Sequence, residues 1–415
     1  MDRITAHYYI ETPYEPAAAA EVLAGEQSSG TFVAVPGETA DIREQFRARV
    51  ESVQYLETVS TPAIPGAESE TGKYHRAMVR VSWNTGNFGY NLPVLTSTLQ
   101  GNLYEIRQFT GLKLMDIDFP DSYTSHFRGP AFGIGGTRKL MGVDHRPMIG
   151  TIIKPSVGLT PEATAGMVNT LAAAGLDFVK DDELLSSSAN SSFEARVTAV
   201  MEVVNRHADK TGRKMMYACN ISGEMDDMLR RYELLVKLGC TSAMISINST
   251  GMAAVQKITG LGQLSIHAHR NGWGMLTRHP LLGIDFNAYQ KIWRLAGVDQ
   301  LHVNGIQNKF WETDDSVVQS MEACLKPLNN LQPLLPVVSS GQWGGQAFET
   351  WRRTKTTDLL YMAGGGIMGH PGGAPQGVLA IQQAWTAAVD GLTPEQAAEK
   401  YPAFKQSVQA FGTKH

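Results

Sequence analysis

Cysteine is scarce in this chain of 415 residues, which contains only Cys219, Cys240 and Cys324. None of the three stands in a CxxC or CxxxC spacing with another. This spacing excludes a structural zinc set and suggests no disulfide framework. We therefore expect a protein of a reducing compartment, the cytoplasm.

Long apolar runs and blocks of like charge are also missing. No run of eighteen apolar residues occurs, so no membrane-spanning helix is predicted. The first residues show no basic region followed by an apolar one, so no signal peptide is expected. The net charge is −4 without a Lys/Arg block, which argues against a nucleic-acid partner. The chain is 43% hydrophobic and 18% charged, as is typical of globular enzymes.

The first part of the chain has short, alternating apolar runs and is predicted to form a small α+β domain, residues 1–128. The runs predicted as strands are 4–11, 29–35, 76–83, 92–99 and 112–119, and those predicted as helices are 15–25 and 101–111. A glycine-rich segment, 129–147, follows and is interpreted as a connector.

The rest of the chain, residues 129–415, is predicted to form a (β/α)₈ barrel. Helical patterns such as 160–175, with Thr160 as N-cap, and 225–239, ending at Gly239, alternate with short apolar runs. Strands buried on both faces that alternate with helices indicate parallel β-structure, and eight of them indicate a closed barrel. The eight runs are 147–155, 177–183, 215–222, 242–249, 264–270, 300–306, 334–341 and 359–366.

Nearly every one of these runs ends in polar or glycine residues. An open doubly wound sheet would concentrate such residues at one or two points, whereas a barrel gathers all of them at one mouth. The residues are Lys154, Lys180, Asp182, Glu183, Asn220, Asn248, His267, His269, Arg270, His302, Asn304, Ser339, Ser340, Gly341, Gly364, Gly365 and Gly366.

The stretch GLDFVKDDELL, 175–185, places a lysine directly before three carboxylates. Alternation along a strand puts Lys180 and Asp182 on the inward face, with Glu183 just beyond the strand end. Asp182 and Glu183 are hard oxygen ligands suited to Mg²⁺. The ammonium would repel that cation unless it reacted with CO₂ to give an anionic carbamate. An internal ion pair is the alternative, and the residues alone favour it.

Two glycine-rich loops follow the seventh and eighth runs, SSGQWGG and AGGGIMGHPGG. Barrels commonly bind phosphate with backbone N–H groups at these two positions. The glycines could also serve only in turns. Arg270 and His302 could bind a second anion, although a histidine at such a position is often a hydrogen-bonded core residue.

With these motifs in order, the chain resembles the large subunit of RuBisCO, ribulose bisphosphate carboxylase, and specifically the RuBisCO-like (form IV) proteins. The likeness extends from about Glu26 to His370. GLDFVKDDE is similar to the family's carbamylated-lysine and metal motif, and GTIIKPSVGL to its first barrel strand. HAHRNGWG, LHVNGIQNKFWE, LPVVSSGQ and GGGIMGHPGG follow in the family's order.

The resemblance implies a role for each matching residue. It implies a Mg²⁺ cofactor, because Lys180, as its carbamate, matches a metal ligand together with Asp182 and Glu183. An obligate homodimer with shared active sites is also implied, because Glu26 and Asn102 match residues that reach the neighbouring subunit's site. The catalytic residues implied are Lys154, Lys180, His269 and Lys309. Ligands of one phosphate are matched by Arg270 and His302, and ligands of the other by Thr31, Gly341, Gly364 and Gly365. A contact to a substrate hydroxyl is matched by Ser339.

Four departures from the carboxylases stand out: Ser156 in place of lysine, Phe32 in place of tryptophan, Trp273 in place of histidine and Met362 in place of glutamine. Since several substrate contacts are altered, carboxylation of ribulose bisphosphate is not expected.

The family's shared step is formation of an enolate from a phosphorylated, sugar-derived substrate. Two residues favour decarboxylation or hydrolytic cleavage of a 3-oxo sugar-acid phosphate of the 3-oxo-isoapionate 4-phosphate type. They are Lys309, a cation placed where a substrate carboxylate could lie, and Ser156. Two alternatives stay open: an enolase or isomerase of methylthio-sugar phosphates in methionine salvage, and a dimeric binding protein without catalysis.

Overall fold

The computed structural model describes residues 2–30 and 35–412. Within these residues the chain forms thirteen strands: β1 (Arg3–Thr12), β2 (Arg49–Val59), β3 (Tyr74–Asn84), β4 (Gly111–Asp118), β5 (Met148–Ile152), β6 (Phe178–Lys180), β7 (Met216–Asn220), β8 (Ser242–Ser246), β9 (Ser265–His269), β10 (Leu282–Ile284), β11 (Gln300–His302), β12 (Leu335–Val338) and β13 (Leu360–Met362).

The same described residues form eighteen α-helices and two short 3₁₀ turns, Thr85–Asn87 and Asn102–Glu105. The helices are α1 (Pro16–Glu26), α2 (Ala40–Phe46), α3 (Leu92–Gln100), α4 (Asp121–Thr124), α5 (Gly133–Met141), α6 (Pro161–Ala173), α7 (Phe193–Thr211), α8 (Met225–Lys237), α9 (Ile247–Thr250), α10 (Met252–Thr259), α11 (Trp273–Thr277), α12 (Phe286–Leu295), α13 (Asp314–Leu325), α14 (Gln346–Thr354), α15 (Gly364–Met368), α16 (Ala374–Val389), α17 (Pro394–Lys400) and α18 (Pro402–Phe411). None of these helices is long and apolar enough to cross a membrane.

The chain divides into two compact units. The first contains the residues up to Arg128, together with Gly272–Ala296 and Pro327–Leu331. A single division of the chain after residue 128 would assign these two later segments to the barrel region. The second contains Gly129–Asn271, Gly297–Lys326 and the chain from Gln332 onward.

The first unit is built on a five-stranded sheet in the order β10-β4-β1-β3-β2. β1 pairs antiparallel with β3 on one side and with β4 on the other. Alternate residues of β1, such as Ile4, Ala6 and Tyr8, are fully buried, which is the expected pattern for a sheet with one face on a core. β10 adds in parallel to β4, so a segment far along the chain completes this sheet.

Several predictions for the first unit are wrong. Residues 92–99 form helix α3 rather than a strand, because Leu92, Leu95 and Leu99 are buried at helical spacing. The side chain of Asn91 also accepts a hydrogen bond from Val94 N and so caps this helix.

Other parts of the first half also differ from the prediction. Residues 101–111 contain only the 3₁₀ turn instead of a helix. The segment 129–147 contains helix α5, so it is more than a connector. Most of the strand predicted at 29–35 lies outside the described residues.

The second unit is a closed barrel of eight parallel strands, which confirms the predicted fold. The strands follow each other around the barrel in chain order, and β13 closes it by pairing with β5. Large apolar side chains, among them Met148, Phe178, Met216, Met244 and Met362, fill the interior. The barrel is therefore a packed core, and the polar residues at the carboxyl ends of its strands remain available for a site.

Gly283 in β10 offers a test of the first unit. Its φ is +97°, and a Cβ there would clash with the carbonyl oxygen of Leu276. We expect Gly283→Ala to destabilise this unit by more than about 3 kcal/mol, because the backbone must move. Gly72 (φ +67°) has nothing within 4 Å of such a Cβ, so Gly72→Ala should cost only about 1 kcal/mol. Thermal unfolding of the two variants checks the difference, and equal melting temperatures would contradict it.

Candidate active site

Lys180, the last residue of β6, is buried at the carboxyl end of the barrel strands. Its ammonium donates hydrogen bonds to the carbonyl oxygen of Asp181, at 2.8 Å, and to the sulfur of Met244, at 3.4 Å. Burial lowers the pKa of Lys180 to about 8, against the opposing effect of the neighbouring carboxylates. Near neutral pH this amine is therefore much easier to deprotonate than an exposed lysine.

Asp181 points away from the site and is completely buried. It accepts hydrogen bonds from the hydroxyl of Tyr217, at 2.6 Å, from the guanidinium of Arg196, at 3.1 Å, and from the backbone N–H of Asn220, at 3.0 Å. Because its side chain is held outward, its neighbours Lys180 and Asp182 are held on the opposite, inner side.

Asp182 faces Lys154 and Ser156, which both lie in the loop that follows β5. The Lys154 ammonium lies 2.6 Å from Asp182 Oδ2, and the Ser156 hydroxyl donates to the same oxygen at 3.0 Å. Lys154 also donates to Ser156, at 2.8 Å. Burial raises the pKa of Asp182, but the hydrogen bonds from Lys154 and from Leu184 N outweigh it and hold this pKa below its usual value. Asp182 is thus a charged carboxylate with a cation beside it.

Glu183 is partly exposed and completes this group. Its Oε2 lies 3.8 Å from the Lys180 ammonium and 3.5 Å from Nε2 of His269. The amide of Asn220 donates to the carbonyl oxygen of Glu183 at 3.3 Å and so fixes the turn after β6. Lys180, Asp182, Glu183, Lys154 and His269 therefore lie together, as the sequence predicted for the barrel mouth.

A chain of buried histidines lies next to these residues. Nε2 of His267 is 2.9 Å from Nε2 of His302, whose Nδ1 is 3.1 Å from the hydroxyl of Ser339. The rings of His269 and His302 meet edge to face, with centroids 4.6 Å apart. Burial lowers the pKa of His267 to about 3 and holds the pKa of both His269 and His302 well below the ordinary value. The three rings are neutral at physiological pH.

His267 was named only among the polar residues at the strand ends, with no role implied for it, and Glu312 was not predicted as a site residue. The alternation in HAH was the available signal for His267, because it places both histidines of β9 on the inner face. Glu312 gave no such signal, since it lies ten residues beyond the end of β11. In the structure it pairs with the buried Arg270, with an N–O distance of 2.9 Å.

The glycine loops lie at the carboxyl ends of the last two strands. Gly341, with φ +88°, directly follows the polar end of β12. α15 begins at Gly364, so the first N–H groups of this helix have no partner within the helix. Lys309 lies close to Gly341, and its N–H donates to the carbonyl oxygen of Ser340 at 3.1 Å. The Lys309 side chain is exposed, with its ammonium 5.3 Å from the centre of the Phe310 ring.

The remaining predicted site residues do not belong to the second unit. Glu26, the last residue of α1, and Asn102 are both exposed in the first unit. Thr31 and Phe32 lie outside the described residues. Trp273 packs in the first unit against Phe286 and Tyr289.

Met362 lies inside the barrel core with 1% of its surface exposed. Its difference from glutamine therefore alters the packing of the barrel interior.

The donors at the barrel mouth fit a divalent cation if Lys180 supplies the third ligand. Within residues 2–30 and 35–412, no group of three or more His, Cys, Asp and Glu side chains could hold a metal ion. Asp182 and Glu183 provide two hard oxygens, and the nearby amine of Lys180 is buried with a lowered pKa. Neutral amines are the form that reacts with CO₂, so the donor chemistry fits a carbamate ligand.

The chain belongs to the RuBisCO large-chain family. Residues 2–123 match the model for the ribulose bisphosphate carboxylase large chain N-terminal domain, and residues 133–411 match the model for its catalytic domain. Both units of the fold thus have counterparts in one family.

Two relatives are similar over almost their whole length. A protein of Xanthobacter autotrophicus named 3-oxo-isoapionate-4-phosphate transcarboxylase/hydrolase is 51% identical over 98% of this chain and 99% of its own. A 3-oxo-isoapionate-4-phosphate decarboxylase of Rhizobium etli is 44% identical over 98% of both chains.

Solved structures agree with this assignment. A rubisco-like protein from Burkholderia fungorum has a TM-score of 0.93 and 41% identity, covering 99% of this chain and all of its own. The octameric ribulose-1,5-bisphosphate carboxylase/oxygenase from Pyrococcus horikoshii has a TM-score of 0.90 and 30% identity, covering 100% of this chain and 94% of its own.

The buried pair of Arg196 and Asp181 gives a test of how the site is held. Both side chains are fully buried. Arg196→Met should destabilise the protein by about 3–5 kcal/mol, because it leaves Asp181 as an uncompensated buried charge. The matched control is Arg230→Met, which removes an exposed arginine paired with Asp227 and should cost at most about 1 kcal/mol. Thermal unfolding of both variants measures this, and similar melting temperatures would refute the role given to Arg196.

Proposed function

We propose that the chain is a Mg²⁺-dependent enzyme that decarboxylates a 3-oxo sugar-acid phosphate of the 3-oxo-isoapionate 4-phosphate type, or cleaves it with water. The observation that carries this proposal is the group formed by Lys180, Asp182 and Glu183 at the barrel mouth, with Lys154 and His269 beside it. The names of two relatives, 51% and 44% identical, support the substrate class.

Asp182, Glu183 and the carbamate of Lys180 are the residues that would hold Mg²⁺. The bound ion would supply Lewis-acid polarisation of substrate oxygens. Asn220 contributes by fixing the turn that carries the two carboxylates, through its bonds to the carbonyl oxygens of Asp182, at 3.5 Å, and Glu183, at 3.3 Å.

Lys154 is the proposed proton donor. Loss of CO₂ from a 3-oxo acid leaves an electron pair on the carbon between the two carbonyl positions, and that carbon must then take a proton. The Lys154 ammonium is half-exposed at the mouth, and Asp182 and Ser156 orient it. His269 is neutral and can accept or pass on a proton close by.

Hydrogen-bonding groups on the other strand ends would hold the substrate. The Ser339 hydroxyl, fixed by His302, is suited to a substrate hydroxyl. N–H groups at Gly341, Gly364 and Gly365 are suited to the phosphate, and a Cβ at Gly365 would meet nothing within 4 Å, so there is open space above it. Lys309 in the loop after β11 would face the substrate carboxylate.

A homodimer with shared sites completes the proposal. Glu26 and Asn102 match family residues that serve the neighbouring subunit, and both are exposed and therefore available for such a contact. Thr31 is assigned to the phosphate on the same resemblance.

Carbamylation of Lys180 can be measured directly. We expect uptake of ¹³CO₂ at this lysine to increase as the pH rises through about 8, because the pKa of Lys180 lies there and the neutral amine is the reactive form. Below this pH the amine is protonated and uptake should fall. ¹³C NMR with Mg²⁺ present follows the carbamate signal.

Lys180→Ala should lose this signal, whereas Lys214→Ala, which changes a surface lysine bonded to the carbonyl oxygen of Gly239, should keep it. A signal that survives in Lys180→Ala would disprove the metal site as proposed.

The activity itself is tested with 3-oxo-isoapionate 4-phosphate, Mg²⁺ and bicarbonate in D₂O. We expect proton NMR to show turnover with the wild type and a loss of about a hundredfold or more with Lys154→Ala, since general acid–base groups typically contribute this much. Release of CO₂ with a single product would indicate decarboxylation, and two products would indicate cleavage with water.

Methylthio-sugar phosphates and ribulose bisphosphate are the comparison substrates. Ser156→Ala removes a hydroxyl bonded to both Lys154 and Asp182 and should lower the rate less than Lys154→Ala does. Turnover of a methylthio-sugar phosphate alone, or CO₂ fixation on ribulose bisphosphate, would overturn the proposed substrate class.

A further inference from the structure

Arg270 and Glu312 form a buried ion pair at the carboxyl ends of β9 and β11. Arg270 directly follows β9, and Glu312 ends the loop that leads from β11 to α13. Their side chains are 5% and 2% exposed, and Nη2 of Arg270 lies 2.9 Å from Oε2 of Glu312. The positive charge of Arg270 is therefore balanced inside the protein.

The Glu312 carboxylate is fixed from several sides. Its Oε2 also accepts from the amide of Asn304, and its Oε1 accepts from the hydroxyl of Ser316 at 3.0 Å. The amide oxygen of Asn304 accepts in turn from Ser340 at 2.7 Å, which ties the ends of β11 and β12 together. With so many bonds in place, Glu312 cannot turn away without leaving buried polar groups unpaired.

This pair changes what Arg270 can bind. Arg270 corresponds to a phosphate ligand in the resembled carboxylases, whose substrate carries two phosphates. A phosphate dianion placed against Arg270 here would also come close to the Glu312 carboxylate, and like charges in a buried setting repel strongly. A neutral, hydroxyl-bearing group meets no such repulsion.

We propose that Glu312 determines the substrate class of this site: by neutralising Arg270, it removes the affinity that a second phosphate would gain there, so that this end of the site accepts an uncharged, hydroxyl-bearing group. The inference rests on the proposed function and on the family resemblance, which assigns Arg270 to the substrate site. It goes further by naming the residue that separates monophosphates from bisphosphates.

A purely structural role for Glu312, as an anchor of the loop, predicts a different result. An anchor would affect stability and the binding of all ligands alike. A specificity residue affects the ratio between two ligands that differ by one phosphate.

The experiment measures that ratio by isothermal titration calorimetry with ribulose 1,5-bisphosphate and ribulose 5-phosphate, in Mg²⁺ and bicarbonate. For the wild type we expect similar dissociation constants for the two compounds. Glu312→Gln keeps the size of the side chain and frees the charge of Arg270. It should favour the bisphosphate by about tenfold or more, which is the order of a charge-assisted arginine–phosphate contact.

Two control variants accompany this measurement. Arg270→Gln combined with Glu312→Gln removes both charges and should return the ratio to that of the wild type. Glu349→Gln frees Arg352, the partner of Glu349 in a more exposed pair within α14, and should leave the ratio unchanged.

The inference is overturned if the wild type already binds the bisphosphate about tenfold more tightly, or if Glu312→Gln shows no preference for it. If Glu312→Gln does not fold, the ratio of the two dissociation constants of the wild type still tests the inference. Neither ligand needs to react, so the result is separate from the turnover test. A wild type that leaves 3-oxo-isoapionate 4-phosphate unchanged but shows the expected ratios would refute the proposed reaction and support the role of Glu312.

Discussion

The site depends on one constraint, a lysine amine buried at the end of a barrel strand among carboxylates. An ammonium loses hydration when it is buried, so the surroundings must either neutralise it or pair it. Lys180 is hydrogen-bonded to a backbone carbonyl and a methionine sulfur, and the nearest carboxylate oxygen of Glu183 is 3.8 Å away. Asp182 is paired with Lys154 instead, at 2.6 Å. The amine is thus left easy to deprotonate, which separates this arrangement from an ordinary internal ion pair.

Asp181 shows how the sequence produces this arrangement. Three consecutive acidic residues have three different environments because the backbone at the end of β6 directs them to different sides. Arg196 and Tyr217 hold the first one, Asp181, outward, so the other two share the mouth with Lys180. The order of residues in KDDE therefore separates one carboxylate that supports the fold from two that are available for chemistry.

The barrel and the grouping of polar residues at its mouth could be predicted from the sequence, because buried parallel strands leave a strong pattern of apolar runs ending in polar residues. The secondary structure of the first unit was harder to predict from the sequence. β2 is largely exposed along its length and has no alternating pattern to read, and Leu92, Leu95 and Leu99 in α3 were mistaken for part of a strand. The Arg270–Glu312 pair could not be predicted either, since it joins residues forty-two positions apart whose proximity depends on the pairing of β9 with β11.

The pairing of β10 with β4 has a consequence for the order of folding. Leu112 of β4 has Leu282 as its partner, so this edge of the sheet remains incomplete until the chain has been synthesised well past the first five barrel strands. During synthesis β4 would present unpaired backbone groups, which are a template for wrong strand pairing. The nascent chain is therefore most exposed to aggregation, and most dependent on chaperones, during the interval in which the barrel is being made and the earlier sheet still waits for its last strand.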